Sequence, residues 1–479
     1  MRNNPTGVDF SYMQIIITIA LIIIGVLLFE FIIFAHEFGH FITAKKSGVQ
    51  VNEFALGMGP KLFSFKKGET QYSLRLFPVG GYCSMEGEDA ESDNPRAFTN
   101  AKVWKRMIII VAGAFMNFVV GFLLMFIVVV QQPSYESTIV DGFSPASFSA
   151  NCGLEEGDEI VDIGGYSIWN VKDLQFAIQT MQCKNVDPSS VEVYKEDCAV
   201  ETRNAAQSIV DGWKDAFDEE ISQETLVEIN TVLSEECRKI NHTNTKEDAY
   251  QALKQAFDRL YAIGGYSGKT DYTYPEIKER DERVRYTSDL TVMRNGEKVK
   301  LEGVQFYSFY QSQEDADKGK VSVAIDFYVK PIEKTFGSVM QQTVSQTATM
   351  AKTVWQSLIM LVQGRFSFND LSGPVGITKA VSVVASEGLK VNFISAVNNI
   401  IFIMALITIN LGVVNLLPFP ALDGGRFVFL LIEAIIRRPL PRKLEYIVNG
   451  VGLVILLLFI AVISVKDVWQ LITGSFPGM

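Results

Sequence analysis

The sequence predicts a polytopic α-helical membrane protein with about four transmembrane helices, a membrane-associated β hairpin, and one water-facing α+β block carrying a helical insertion. Three observations carry this reading. Of 479 residues, 48% are hydrophobic and 20% charged, too apolar for an ordinary soluble enzyme and too charged for a chain in lipid throughout. Four stretches, about 13–42, 107–130, 398–417 and 446–465, hold the roughly 20 apolar residues that a helix needs to cross a bilayer. The net charge of −11 is unevenly placed, with −16 in 134–336 and +5 in the remainder. An acidic block therefore interrupts apolar, mildly basic flanks. The hydrophobicity excludes disorder for most of the chain, and without a basic stripe no nucleic-acid partner is expected.

Taken in order, the first span is far longer than a signal-peptide core and no small-residue cleavage site follows it, so it is expected to stay. Four spans put both termini on one side. Ten Lys and Arg residues lie from Lys45 to Arg106, and Arg426, Arg437, Arg438, Arg442 and Lys443 lie between spans three and four. The bias of positive charge toward the cytoplasm places these two loops inside, and the acidic block and termini outside. The expected division is 1–133, 134–336, 337–397 and 398–479.

Within the first loop, 51–86 contains Leu56-Gly57-Met58-Gly59-Pro60, the alternating Tyr72-Ser73-Leu74-Arg75-Leu76, and Pro78-Val79-Gly80-Gly81-Tyr82. Such a Gly-rich hairpin dips readily into a membrane interface, and an ordinary cytoplasmic hairpin is the plainer alternative. In the acidic block, Cys152-Gly153-Leu154-Glu155-Glu156-Gly157-Asp158-Glu159-Ile160 alternates turn residues with short apolar runs, as in a small β-rich domain. A helix is expected from Val171, a hairpin about Asn295-Gly296, and a further strand over 321–329. Between 181 and 288 the apolar periodicity is helical, and a spacer or docking helix pair is the expectation. Four of the five cysteines (Cys152, Cys183, Cys198 and Cys237) lie in this block, with no spacing that specifies a pairing. Phe336, Met340, Val344, Ala348, Ala351, Trp355, Leu358 and Val362 then recur at helical spacing, predicting an amphipathic helix that lies on the outer membrane surface or caps the outer domain.

Chemistry concentrates in two places. His36-Glu37-Phe38-Gly39-His40 sets two imidazoles one helical turn apart on one face, where they can share a zinc ion, with Glu37 placed to act as general base. The chain has three histidines in all, and two of them fall here around a glutamate inside an apolar helix. Two structural imidazoles in a helix bundle would be the plainer account. A zinc site needs a third protein ligand. Glu53 and Glu69 are the nearby candidates; the better one is distant. Asn415-Leu416-Leu417-Pro418-Phe419-Pro420-Ala421-Leu422-Asp423-Gly424-Gly425 ends span three on the same membrane face, and its prolines break helix where backbone must then be paired or line a cavity. Asp423 could instead merely cap a helix. Glu30 is a second carboxylate in span one, which could face a water channel or bond Asn398 or Asn399.

Together these motifs resemble the site-2 protease family of intramembrane zinc metalloproteases, and the acidic block resembles the PDZ-like α+β domain of its bacterial branch. The resemblance covers the whole transmembrane core; both signatures stand complete, as HExxH at 36–40 and NxxPxPxLDG at 415–424. It implies Zn2+ held by His36, His40 and Asp423, and water activated by Glu37. It also implies substrate binding at Asn415, Pro418, Pro420, Gly57 and Gly59, with 51–86 as a reentrant β element that pairs with an unwound substrate. The implied substrate is a single-pass membrane protein or peptide already trimmed by another protease, for example an anti-sigma factor or signal-peptide remnant. The implied location is the bacterial inner membrane, with the active site near the cytoplasmic face and the PDZ-like domain outside. A non-catalytic PDZ-containing scaffold with a vestigial zinc site is the rival, and the intact Glu37 argues against it. A zinc-dependent transporter would usually show internal repeats, and none is visible.

Overall fold

The computed structural model describes residues 10–88, 92–144, 147–180, 183–186, 190–277, 283–309, 322–364, 371 and 373–473. It divides into two compact units, Met1–Pro133 with Thr335–Met479, and Ser134–Lys334.

The first unit begins with α1 (Phe10–Ser47), whose part from Ile23 is long and apolar enough to cross a membrane. Lys45 and Lys46 occupy its last turn, where the helix dipole favours positive charge. Strands β1 (Val51–Lys67) and β2 (Thr70–Met85) pair antiparallel, and both fold back on themselves. Ala55 is paired with Tyr82 on one side and Ser73 on the other, while Phe65 pairs with Tyr72. Two strands therefore act as four ribbons. The expected hairpin is a small sheet whose far end exposes Leu62, Phe63, Leu76 and Phe77. Its near turn is tied down, because Glu69 accepts hydrogen bonds from Arg96 at 2.5 and 2.9 Å and from Lys45 at 2.7 Å. The second candidate span, α2 (Val103–Gln131), then packs along α1.

The second unit is built on β3 (Tyr135–Phe143), followed by the single turn α3 (Phe148–Asn151), β4 (Glu159–Ile163), β5 (Tyr166–Ser167) and α4 (Val171–Gln179). Asn170 caps α4 by accepting from the Lys172 and Asp173 amides. Next come β6 (Cys183–Val186) and three helices, α5 (Val191–Phe217), α6 (Gln223–Asn241) and α7 (Lys246–Ala262). Ser190, Ser222 and Thr245 start them as N-caps. The insertion is thus a three-helix bundle, not a helix pair. It buries Ile209, Trp213, Leu233, Leu253 and Leu260 in a core of its own. Strands β7 (Arg283–Arg294) and β8 (Glu297–Phe309) form the hairpin about Asn295-Gly296, where both residues take positive φ, as a type I′ turn requires.

The strand expected over 321–329 is broken in two, β9 (Ser322–Ala324) and β10 (Phe327–Ile332). The break has a cause at Asp326. Its carboxylate turns to accept from the Ser149 amide (3.0 Å) and hydroxyl (2.7 Å), while its carbonyl, accepting from the Ser144 amide (3.0 Å), closes the β3–β10 ladder beside the Phe143–Phe327 pair. The main sheet runs β10-β3-β4-β7-β8-β9. Its two edge strands are therefore neighbours in the chain, and the sheet must curl until its edges approach. Ile160, Leu174, Leu290, Val292 and Phe306 fill the space between sheet and α4. Cys83, Cys152, Cys198 and Cys237 are free thiols; the side chain of Cys183 lies outside the described residues.

The chain re-enters the first unit as α8 (Phe336–Val362), opened by a Thr335–Ser338 capping box. The predicted periodicity is there, and the apolar stripe lies off the face that packs within the unit. Val339, Gln342, Thr343, Gln346, Thr349 and Met350 are buried, whereas Phe336, Val344, Trp355 and Val362 of the expected apolar stripe are exposed. Within its unit the helix packs along α2. Helix α9 (Pro374–Val391) follows, and then α10 (Phe393–Asn415), the third candidate span. Last come α11 (Asp423–Ile436) and α12 (Arg442–Thr473), which contains the fourth. Near its end, buried Asp467 accepts from the Gly373 and Gly376 amides, each at 2.8 Å, and so caps α9.

Candidate metal centre

His36 and His40 share one face of α1, and their Nε2 atoms lie 3.3 Å apart. Asp423, first residue of α11, brings Oδ2 to 3.4 Å from His36 Nε2 and 3.5 Å from His40 Nε2. No other group of three His, Cys, Asp or Glu ligands converges in this way among the described residues. The two sequence motifs, almost the full chain apart, thus meet at one point. The rival ligands are engaged elsewhere: Glu69 with Lys45 and Arg96, and Glu53 with Lys61, Arg75 and Ser73.

Several neighbours hold the three ligands. The His40 Nδ1–H donates to the Ile109 carbonyl at 2.8 Å, which leaves Nε2 with its lone pair directed at the cluster. Asn117 of α2 places its side-chain amide 3.1 Å from His36 Nδ1 while its Oδ1 is buried without a hydrogen-bond partner. Exchanging the amide's O and N lets Oδ1 accept from Nδ1–H, and His36 Nε2 is then freed as well. The backbone of α2 passes close over the site, since a Cβ at Gly113 would stand 2.3 Å from His40 Nε2. Before Asp423 the chain loops through Pro418 and Pro420, which have no amide hydrogen to give a helix. A Cβ at Gly424 would stand 2.1 Å from the Leu417 carbonyl, so only glycine lets that loop close over the first turn of α11. The helix itself is pinned by Arg106 to Glu433 at 2.5 Å and by Arg426 to Glu88.

These residues fit a zinc ion. Asp423 Oδ2 is buried without a hydrogen-bond donor, and with both Nε2 atoms unprotonated three lone pairs face one another within 3.5 Å. That arrangement is repulsive until a cation sits among them, and two imidazoles with one carboxylate are an established zinc donor set.

The remaining expected site residues fall in different places. Glu37 is next to His36, and β2 passes beside it: a Cβ at Gly81 would lie 3.3 Å from Glu37 Cγ and 3.4 Å from Ile33. Asn415 ends α10, with Pro418 and Pro420 in the loop that follows. Gly57 and Gly59 lie at the bend of β1, against Phe77 rather than beside Glu37. Glu30 does not bond either asparagine. Asn398 donates to Gln131 and Asn399 to the Val384 carbonyl, and the buried Glu30 oxygens have no hydrogen-bond partner among the described residues. Sequence reasoning missed Asn117, Gly113 and Gly81. Of these, only Asn117 carries a local signal, an amide in an otherwise apolar span, and nothing local names its partner.

The comparisons with known proteins agree with this chemistry. Residues 24–459 match peptidase family M50. Zinc metalloprotease RasP of Bacillus licheniformis is 30% identical over 94% of this chain and 99% of its own length. The regulator of sigma-W protease RasP of Bacillus subtilis is 29% identical over 94% and 98%. A Clostridium acetobutylicum protein whose name also classes it among zinc metalloproteases is 31% identical over 93% and 97%. With two motifs brought together whose side chains could hold one metal ion and a family match spanning nearly its whole length, this chain belongs to peptidase family M50, the site-2 protease family, and is a membrane zinc metalloprotease.

Proposed function

We propose that the protein is an intramembrane endopeptidase that cuts single-pass membrane substrates, with His36, His40 and Asp423 as zinc ligands and Glu37 as the catalytic base. The observation that supports this is Glu37, next to His36 in the chain and beside Gly81 in a strand segment that, among the described residues, is paired on one side only. Bound zinc supplies a Lewis acid that polarises the scissile carbonyl and lowers the pKa of water. Glu37 takes the proton from the attacking water and returns it to the leaving amine. A transmembrane helix hides its scissile amides in its own hydrogen bonds, so it must be drawn into extended form before attack. Residues 81–85, bonded to β1 on one side, offer the other side as an edge to which such a strand adds. Asn415 at the end of α10, with Pro418 and Pro420 in the loop that carries Asp423, would hold the substrate backbone from the other motif.

The unit 134–334 reads as a PDZ-like domain with its helical insertion, acting outside the membrane as a size filter or docking site for a substrate already trimmed. The positive charge of the two basic loops supports a metal centre near the cytoplasmic face of a bacterial inner membrane. The name of the Bacillus subtilis relative points to regulators of transcription as a substrate class.

Glu37→Gln removes the base and no ligand, so it should abolish cleavage of a model transmembrane substrate with zinc retained. Cleavage by the folded, zinc-loaded variant would favour the scaffold reading instead. For topology, a cysteine at position 67 or 438 should be shielded from outside thiol reagents and one at the Gly296 turn accessible. The reverse pattern would overturn the charge argument.

A further inference from the structure

The loop that delivers Asp423 contains a residue in an unfavourable conformation. Ala421 has φ 74°, a region that an alanine enters only at a steric cost, and it lies two residues before the ligand. Neighbouring amides are satisfied locally, Phe419 by the Leu417 carbonyl at 2.7 Å and Leu422 by the Phe419 carbonyl at 3.2 Å. The Ala421 amide instead donates out of the loop, to Asn449 Oδ1 of α12 at 3.3 Å. Three residues further along the same face of α12, Gly452 lets the helix backbone reach the loop. A Cβ there would stand 2.4 Å from Pro420 Cβ and 2.8 Å from its carbonyl oxygen. One helix face thus grips two consecutive loop residues, one by a hydrogen bond and the other by contact.

We infer that Asn449 is a positioning residue for the metal centre: through the Ala421 amide it holds the strained loop in the one conformation that aims Asp423 at His36 and His40. This rests on the proposed role of Asp423 as a zinc ligand. Helix α12 contributes none of the three ligands, yet it sets the geometry of one. Without Asn449 the Ala421 amide has no acceptor, and the loop can relax toward negative φ and turn Asp423 away.

Zinc affinity of the full-length protein in detergent, measured by competition with a chromophoric chelator, decides it. Asn449→Ala should raise the zinc dissociation constant roughly 10- to 100-fold, the range expected when a group orienting a ligand is lost. With cobalt(II) in place of zinc, its visible absorption should shift or weaken as the tetrahedral geometry is lost. Adding Ala421→Gly to Asn449→Ala should recover part of the affinity, because glycine takes positive φ without the steric cost. Gly450→Ala, whose Cβ meets open space, controls for general disturbance of α12 and should match the parent. Zinc binding by Asn449→Ala within twofold of the parent, where Asp423→Asn abolishes it, overturns the inference and leaves the ligand assignment standing. A loss in Asn449→Ala without any recovery on adding Ala421→Gly also overturns it, because the lost amide acceptor would then matter for something other than the φ of Ala421. Unchanged zinc binding in Asp423→Asn removes the ligand assignment, and this inference falls with it.

Discussion

The two units of this molecule obey opposite packing rules. In the insertion, α5 to α7 bury Ile209, Leu233 and Leu253 and leave most charges outside, with Glu196 and Glu236 as buried exceptions, as helices in water do. In the other unit, α8 turns Gln342, Thr343, Gln346 and Thr349 inward while Val344 and Trp355 face out, and α12 exposes Leu453, Val454, Ile455, Leu457 and Leu458 in sequence. Where the surroundings are hydrocarbon, apolar contact inside the protein gains nothing over contact with lipid. Small residues and hydrogen bonds then decide how helices meet. The metal centre belongs to that second regime, which is why it depends on the Gly113 backbone, the Asn117 amide and the Ile109 carbonyl.

Four experiments sharpen or break this contrast, from the largest effect down. Gly113→Ala forces a methyl group into the space of His40 Nε2 and should abolish both zinc binding and cleavage, as metal analysis would show. Leu253→Ala empties a fully buried position in the insertion and should cost about 2–5 kcal/mol locally. Limited proteolysis should then cut α5 to α7 faster, with zinc content unchanged; a loss of zinc would show the units to be one cooperative body. Leu457→Asp, on the lipid side of α12, should cost about 3 kcal/mol in membrane insertion, seen as a smaller membrane-extracted fraction. The comparable exposed change Val227→Asp in α6 should stay within about 0.5 kcal/mol. Equal outcomes for these two would break the comparison outright.

The smallest effect is a pH response. The Arg96 guanidinium, with Lys45, holds the Glu69 carboxyl down at about 2 from its ordinary 4.5. A lowered pKa adds stability that is complete above 4.5 and disappears as pH falls toward 2. Protection from hydrogen exchange in the turn between β1 and β2, taken against the intrinsic exchange rate at each pH, should therefore fall over that interval, and Glu69→Gln should remove the dependence while keeping zinc.

The proposed ligands were legible because each sits in a short motif whose spacing carries its geometry. His36 and His40 needed only the pitch of a helix, and Asp423 only prolines that could not continue one. What supports them was not legible, since Asn117 meets His36 across 81 positions and Asn449 meets Ala421 across 28. No local pattern encodes such pairs. Which face of α8 packs inward was left open for a different reason. Periodicity gives the existence of an amphipathic helix but not which side faces inward, and here polar groups take the inner side. The strand broken at Asp326 fell to a tertiary hydrogen bond that outcompeted β propensity.

The bundle α5 to α7 leaves and re-enters the sheet at a single ladder rung. Val186 of β6 pairs with Arg283 of β7, so the 96 residues between them form, topologically, one hairpin loop. The entropy of closing a loop rises only with the logarithm of its length, so an excursion this long burdens the sheet little more than a far shorter one. Its own buried core meets the cost of its order. The insertion is in this sense a graft: excising it and joining β6 to β7 through a tight turn leaves the register of every other strand as it is.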